Sequence, residues 1–147
     1  MIRGPEGLGE WEALYDLRWR VLRAPWGQER GSERDEGEAD SVHRVAVTSA
    51  GRVIGTGRVQ WVAEGVAQVR YMAVEEAWRG RGVGAALLES LEREAGRRGA
   101  GEIGLNARIE VAEFYARRGY RAMGPGPVLF GRVEHVVMVK APVRIEP

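Results

Sequence analysis

The chain has 147 residues, 44% of them hydrophobic, which suits one domain spanning 1–147 with a sizeable core and leaves no room for a second. Its 22 basic and 21 acidic side chains nearly cancel, so no general pull toward nucleic acid or a membrane surface exists and a partner must be chosen by a local site. The absence of cysteine excludes a disulfide framework, a thiolate zinc site and a cysteine nucleophile.

The first ten residues carry no charged-then-apolar leader, and no apolar run approaches about 18 residues, so a cytoplasmic location without membrane contact is expected. Trp11, Leu14, Leu17, Arg18, Val21 and Leu22 recur at helical spacing and predict a helix over 10–23, ended by Pro25. Residues 28–40 turn polar, with six carboxylates against Arg30 and Arg34, and read as a mobile solvated loop or as a mouth for a basic substrate. Strands are predicted over 42–48 and 53–62, joined by the turn-like Ser49-Ala50-Gly51-Arg52. A third strand over 66–74 completes an antiparallel meander, and strict alternation puts Gln68, Arg70, Met72 and Val74 on one face.

After a glycine-rich turn, Leu87, Leu88, Leu91 and Ala95 mark an amphipathic helix that Gly99 stops. A short strand over 102–105, a helix over 109–118 and a strand over 120–123 follow. Gly124-Pro125-Gly126-Pro127 is expected to break the chain before strands at 128–130 and 133–140, leaving a sheet edge open to a second subunit in a homodimer.

The turn at 79–85 is the richest signal. Glycines leave backbone N–H groups uncovered, and the next helix adds unpaired N–H groups and the positive end of its dipole, so a phosphate is the natural guest. The short pattern Gln/Arg-x-x-Gly-x-Gly/Ala also begins at Arg34, Arg52, Arg81 and Arg121, but only the pair at Arg79 and Arg81 follows a strand and opens a helix. A P-loop is excluded because no lysine stands here. A dinucleotide loop is formally matched by Gly80, Gly82 and Ala85, yet five residues separate it from the strand and the preceding strands form a meander rather than a βαβ unit. The pyrophosphate loop of an acetyl-CoA enzyme remains.

In Ala73-Val74, in Arg79-Gly80-Arg81-Gly82-Val83-Gly84, in Asn106 and in Phe114-Tyr115-Ala116-Arg117-Arg118-Gly119-Tyr120, the chain resembles the Gcn5-related N-acetyltransferase (GNAT) family over about residues 42–140. Leu17-Arg18, His43 and Val133-Glu134-His135-Val136 add a weaker likeness to its ElaA-type branch. The resemblance implies an α/β fold with a mixed, mostly antiparallel central sheet of about six to seven strands flanked by helices. It implies transfer of an acetyl group from the cosubstrate acetyl-CoA to a small-molecule or peptide amine. Transfer would be direct, since neither a cysteine nor a Gly-x-Ser-x-Gly elbow offers an acyl-enzyme.

By position, the family places the pantetheine arm against Met72, Ala73 and Val74, with the Met72 N–H as oxyanion donor. The pyrophosphate falls to Arg79, Gly80, Arg81, Gly82, Val83, Gly84 and Ala85. Tyr115 matches the general acid for the departing thiolate, and Asn106 either bonds the pantetheine amides or caps the next helix. The position where some members carry a base glutamate holds Gln68, so His43 and His135 are the candidate bases. Arg18 and Arg70 either orient a substrate carboxylate or serve as surface charges. Trp19, Trp26 and Trp61 either line an acceptor pocket or belong to the core, and Trp78 lies beside the adenosine end or covers the loop. An acyl-CoA-binding module without turnover is the alternative from another class.

Overall fold

The computed structural model describes residues 1–142. Its elements in chain order are β1 (Ile2–Arg3), α1 (Gly7–Leu22), β2 (Val42–Val47), β3 (Val53–Ala63), β4 (Val66–Val74), α2 (Val83–Arg97), β5 (Glu102–Arg108), α3 (Ala112–Ala116), β6 (Arg121–Leu129) and β7 (Val133–Lys140). They build one seven-stranded sheet in the order β1-β2-β3-β4-β5-β7-β6. All neighbours are antiparallel except β4 and β5, which run parallel because α2 carries the chain across between them.

Each face of the sheet is covered by a helix. Leu14 and Leu17 of α1 pack on Val45, Val47, Val53 and Ala73. On the other face Leu88, Leu91 and Ala95 of α2 meet Val42, Val59, Ala67, Val69 and Ile103. Alternation along β2 explains the split, since Val45 and Val47 face α1, while Val42 and Ala46 face α2 and join two clusters there. Helix α2 lies very close to β3: a Cβ at Gly55 would stand 2.9 Å from both Leu87 Cδ1 and Val83 Cγ1. The missing side chain lets the helix start settle beside the end of β4.

Several expectations are corrected. Residues 28–40 form turns folded onto the protein, and Glu33 is buried. Arg18 and Arg58 are 0% and 1% exposed, and buried guanidiniums require carboxylates, so Asp35 and Glu38 turn inward to bind them. This segment is therefore anchored through Asp35 and Glu38 rather than free, while Glu29, Glu36 and Asp40 stay solvated, and Arg18 is not a surface charge. The Gly-Pro stretch does not break the chain but lies within β6, where register shifts between Ala122 and Gly124 and between Pro125 and Val128 absorb it. Because β6 is an edge strand, Pro125 and Pro127 are tolerated there, and they remove two donors from the edge expected to pair with a second copy. Strand β5 runs three residues further than expected, and the helix predicted over 109–118 shortens to a 3₁₀ turn, Ile109–Val111, and α3.

Strict alternation along β4 also fails. Tyr71 has φ +58°, and register passes from Thr56 opposite Ala73 to Arg58 opposite Arg70, so Tyr71 and Met72 share the place of Gly57. This bulge turns the strand over. Tyr71 joins Arg70 and Ala73 on the α1 side, where its ring lies under Arg18 and Arg58. Met72 is delivered to the α2 side against Gly57, rather than to the face of Gln68 and Arg70.

Candidate active site

Strands β4 and β5 pair only through Val66, Ala67 and Gln68, opposite Glu102, Ile103 and Gly104. Beyond Gln68 they separate while β5 remains paired to β7 as far as Arg108. Two strand edges thus face each other across a wedge, each with backbone donors and acceptors available to a guest lying between them. The wedge opens into a cleft of about 660 Å³.

The glycine turn closes one end of this cleft. Gly80 and Gly82 have φ of +76° and +83°, a conformation that favours glycine, and a Cβ at either position would meet no atom within 4 Å. Gly82 caps α2 and its carbonyl accepts from Ala86 N–H at 3.0 Å. The N–H groups of Gly80, Arg81, Gly82, Val83, Gly84 and Ala85 donate to no carbonyl among the described residues. Such a run of unpaired donors at a helix start suits an anion.

Tyr115, on α3, reaches the cleft from the α2 side while its ring packs edge-on against Phe114 and Tyr120. Its hydroxyl has no hydrogen-bond partner among the described residues. Burial pushes its pKa up to about 12, against a smaller opposing effect of the Arg108 charge, so the phenol keeps its proton at neutral pH. Asn106 lies within β5, opposite Val137, and lines the cleft, which removes the helix-cap reading.

The two histidines have different surroundings. His43 is 5% exposed on the α1 side of β2, with Nε2–H donating to the Glu38 carbonyl at 2.9 Å and Trp11 against its ring. Burial holds its pKa below the usual histidine range, and it does not line the cleft. His135 does line it, across the β5–β7 ladder from Arg108. Its Nδ1 faces two acceptors, the Pro127 and Val133 carbonyls at 3.0 and 3.1 Å, so the proton sits on Nδ1 and the lone pair on Nε2.

The cleft therefore gathers Met72, Ala73, Val74, Arg79, Gly80, Gly82, Val83, Gly84, Ala85, Asn106, Tyr115 and His135. It leaves out His43, and also Arg81, whose guanidinium stands 5.1 Å from the Trp78 ring centroid. Trp26 and Trp78 are lining residues; Trp19 instead donates Nε1–H to the Gln28 carbonyl, and Trp61 packs on the core. Sequence reasoning missed Arg23, Arg108, Arg118 and Phe130, which line the same cleft from four separate segments and share no local pattern.

Residues 11–121 match the profile of the acetyltransferase (GNAT) family. The chain belongs to that family. The uncharacterized N-acetyltransferase YjcF of Bacillus subtilis is 31% identical over 108 residues, covering 74% of this chain and 76% of that protein. Among solved structures, an aminoglycoside 6'-N-acetyltransferase complexed with coenzyme A superposes with a TM-score of 0.82 at 18% identity, covering 100% and 99% of the two chains. Escherichia coli ElaA superposes at 0.74 with 17% identity, covering 95% and 99%. These structures share the GNAT fold, a mixed sheet flanked by helices. No helix among the described residues is long and apolar enough to cross a membrane.

Proposed function

We propose that this GNAT protein is an N-acetyltransferase that takes its acetyl group from acetyl-CoA and passes it directly to an amine. The observation that carries the reading is the juxtaposition, in one cleft, of the unpaired donors at 80–85 with the open edges of β4 and β5. The N–H groups of the turn bind the pyrophosphate, and the edge of Met72, Ala73 and Val74 holds the pantetheine arm as an added strand would be held, with the Asn106 amide facing it from β5. When bound, acetyl-CoA supplies an activated thioester. The Met72 N–H, at the bulge where β4 borders the cleft, donates to the carbonyl oxygen as it gains charge.

The amine nitrogen bonds to the acetyl carbon and the carbon–sulfur bond breaks. His135 Nε2 takes one proton from the nitrogen, and Tyr115 returns one to the sulfur. The products are an amide and a free thiol, and the two side chains exchange protons with solvent to reset. Gln68 accepts from Gln60 Nε2 at 3.0 Å and takes no part as a base.

Acetyl-CoA and CoA are each expected to raise the melting temperature, with NAD inert. NAD stabilisation without any effect of CoA would overturn the reading. Retained CoA binding with no thiol release across amino acids, polyamines, aminoglycosides and peptides would move the protein to the binding-module class.

A further inference from the structure

The acceptor side of the cleft shows what kind of amine it suits, an inference that rests on the acetyltransferase reading. Five arginines reach the cleft, Arg23, Arg70, Arg79, Arg108 and Arg118, and no aspartate or glutamate does among the described residues. Three carboxylates on the α1 side are committed to arginines. Glu38 binds Arg18 and Arg58, and Glu75 binds Arg20 and Arg52. Asp35 is held by Arg58 at 2.7 Å and by Arg70 at 3.1 Å. Every charged side chain of the wall is an arginine, and of the five only Arg70 is paired with a carboxylate among the described residues, so a purely cationic amine is disfavoured there.

The arginines divide by position. Arg79 adjoins the glycine turn and donates to the Val74 carbonyl, while Arg118 stands 3.9 Å from the centroid of Phe114, the ring next to Gly84. Both belong to the phosphate end. Arg108, whose charge acts on Tyr115, sits on β5 beside the reacting centre. Arg70 precedes Val74 by four residues on β4, about 13 Å along a strand, and so lies beyond the bulge from the turn. Arg23 joins it there: its guanidinium stands 5.6 Å from the Tyr71 ring centroid and 5.4 Å from that of Phe130, and Arg70 covers the same Tyr71 ring at 4.8 Å.

These two guanidiniums have donors to spare. Arg23 gives Nε–H to the Ser32 carbonyl and Nη1–H to the Leu22 carbonyl, which leaves Nη2, and it pairs with no carboxylate among the described residues. Arg70 uses only Nη1, toward Asp35, so its Nε and Nη2 edge makes no hydrogen bond there. A planar fork of this kind matches a carboxylate through two parallel bonds. The Tyr71 ring lies under Arg70, and the Tyr71 and Phe130 rings flank Arg23, which adds the spare Nη2 donor to the Arg70 fork.

We propose that the acceptor is a small primary amine bearing a carboxylate, bound through that carboxylate by Arg70 and Arg23, with free α-amino acids as the simplest members of the class. The carboxylate is unchanged by the reaction, and only the ammonium charge is lost as the amide forms.

Matched pairs test this: α-amino acids against their carboxamides, with spermidine as a cationic amine, in a thiol-release assay with acetyl-CoA. The acids are expected to exceed their amides by tenfold or more in kcat/KM. Arg70→Gln, and separately Arg23→Gln, are expected to remove the preference mainly by raising acceptor KM, with the melting shift given by CoA retained. A readout without turnover runs in parallel, the further melting shift of the CoA-saturated protein by N-acetyl amino acids against their amides. Equal or better use of the amides or spermidine, or no acid preference in either assay with CoA bound, would overturn the acceptor assignment alone. Failure of CoA and acetyl-CoA to bind would remove the acetyltransferase reading beneath it.

Discussion

Glu38→Ala strips the compensating carboxylate from two buried guanidiniums at once. Glu38 accepts from Arg18 Nη1 at 3.1 and 3.0 Å, from Arg58 Nη1 at 3.0 Å and from the Asp35 N–H at 3.0 Å. After the substitution Arg58 keeps Asp35, but Arg18 keeps only the Glu33 carbonyl, and its Nε and Nη2 already lack partners. Leaving such a charge uncompensated costs about 3–5 kcal/mol. In a domain of this size each kcal/mol moves the melting temperature by about 2–4 °C, so a fall of about 6–20 °C is expected. Urea unfolding and thermal melts at low salt and at about 1 M salt provide the assay, since a buried pair is little screened. Asp16→Ala is the control: it removes pairs with the exposed Arg20 and Arg30, each worth under about 1 kcal/mol. The double variant Arg18→Met with Glu38→Leu should recover most of the loss, because no charge is left behind. If Glu38→Ala stays within about 1 kcal/mol of the parent, or its deficit vanishes at high salt, the reasoning about buried charge is wrong.

Tyr115→Phe should lower kcat about 10- to 100-fold with CoA affinity unchanged; the effect is modest because a thiol of pKa about 8.5 leaves with partial assistance, and an unchanged rate would remove Tyr115 from the reaction. His135→Gln should depress turnover while His43→Gln leaves kcat/KM near the parent, and the reverse outcome in steady-state kinetics would exchange their roles. Gly82→Ala should weaken CoA binding tenfold or more by calorimetry, since the new methyl enters open space that the anion needs at φ +83°, whereas Val83→Ala should chiefly reduce stability through its packing with Ile54 and Leu87. The Arg3 guanidinium, together with the Glu6 N–H, holds the Glu10 pKa down to about 2. The unfolded chain binds that proton near 4.5, so this contribution is complete above about pH 4.5 and is lost as pH falls toward 2; acid titration of Glu10→Gln should show a shallower decline than the parent.

The order of elements was legible because it rests on near-neighbour properties. Helical spacing at Leu87, Leu88 and Leu91 and the turn chemistry of Ser49 to Arg52 are determined within a few residues, and the structure returns both elements. The glycine turn stood out for the same reason: a strand, uncovered N–H groups and a helix follow one another directly in the chain. Where prediction failed at 124–127, local breakers were overruled by position, since an edge strand tolerates proline and bulges that a central strand does not.

Family, the meander before the turn and the place of Tyr115 after β5 all follow from residues close together in the chain. How these parts face one another depends on contacts between residues far apart in the chain. The bulge at Tyr71 arises where β4 must fit β3, and it turns Met72 away from the face that alternation assigns it. Which histidine reaches the cleft depends on the strand each occupies: β2 carries His43 into the packing under Trp11, and β7 carries His135 to the wedge beside Arg108. Of the carboxylates at 28–40, Asp35 and Glu38 are turned inward by Arg18 and Arg58, whose burial depends on packing distant in the chain. Charge count is a property of composition, but the sign of a cleft is set by which charges folding leaves unpaired.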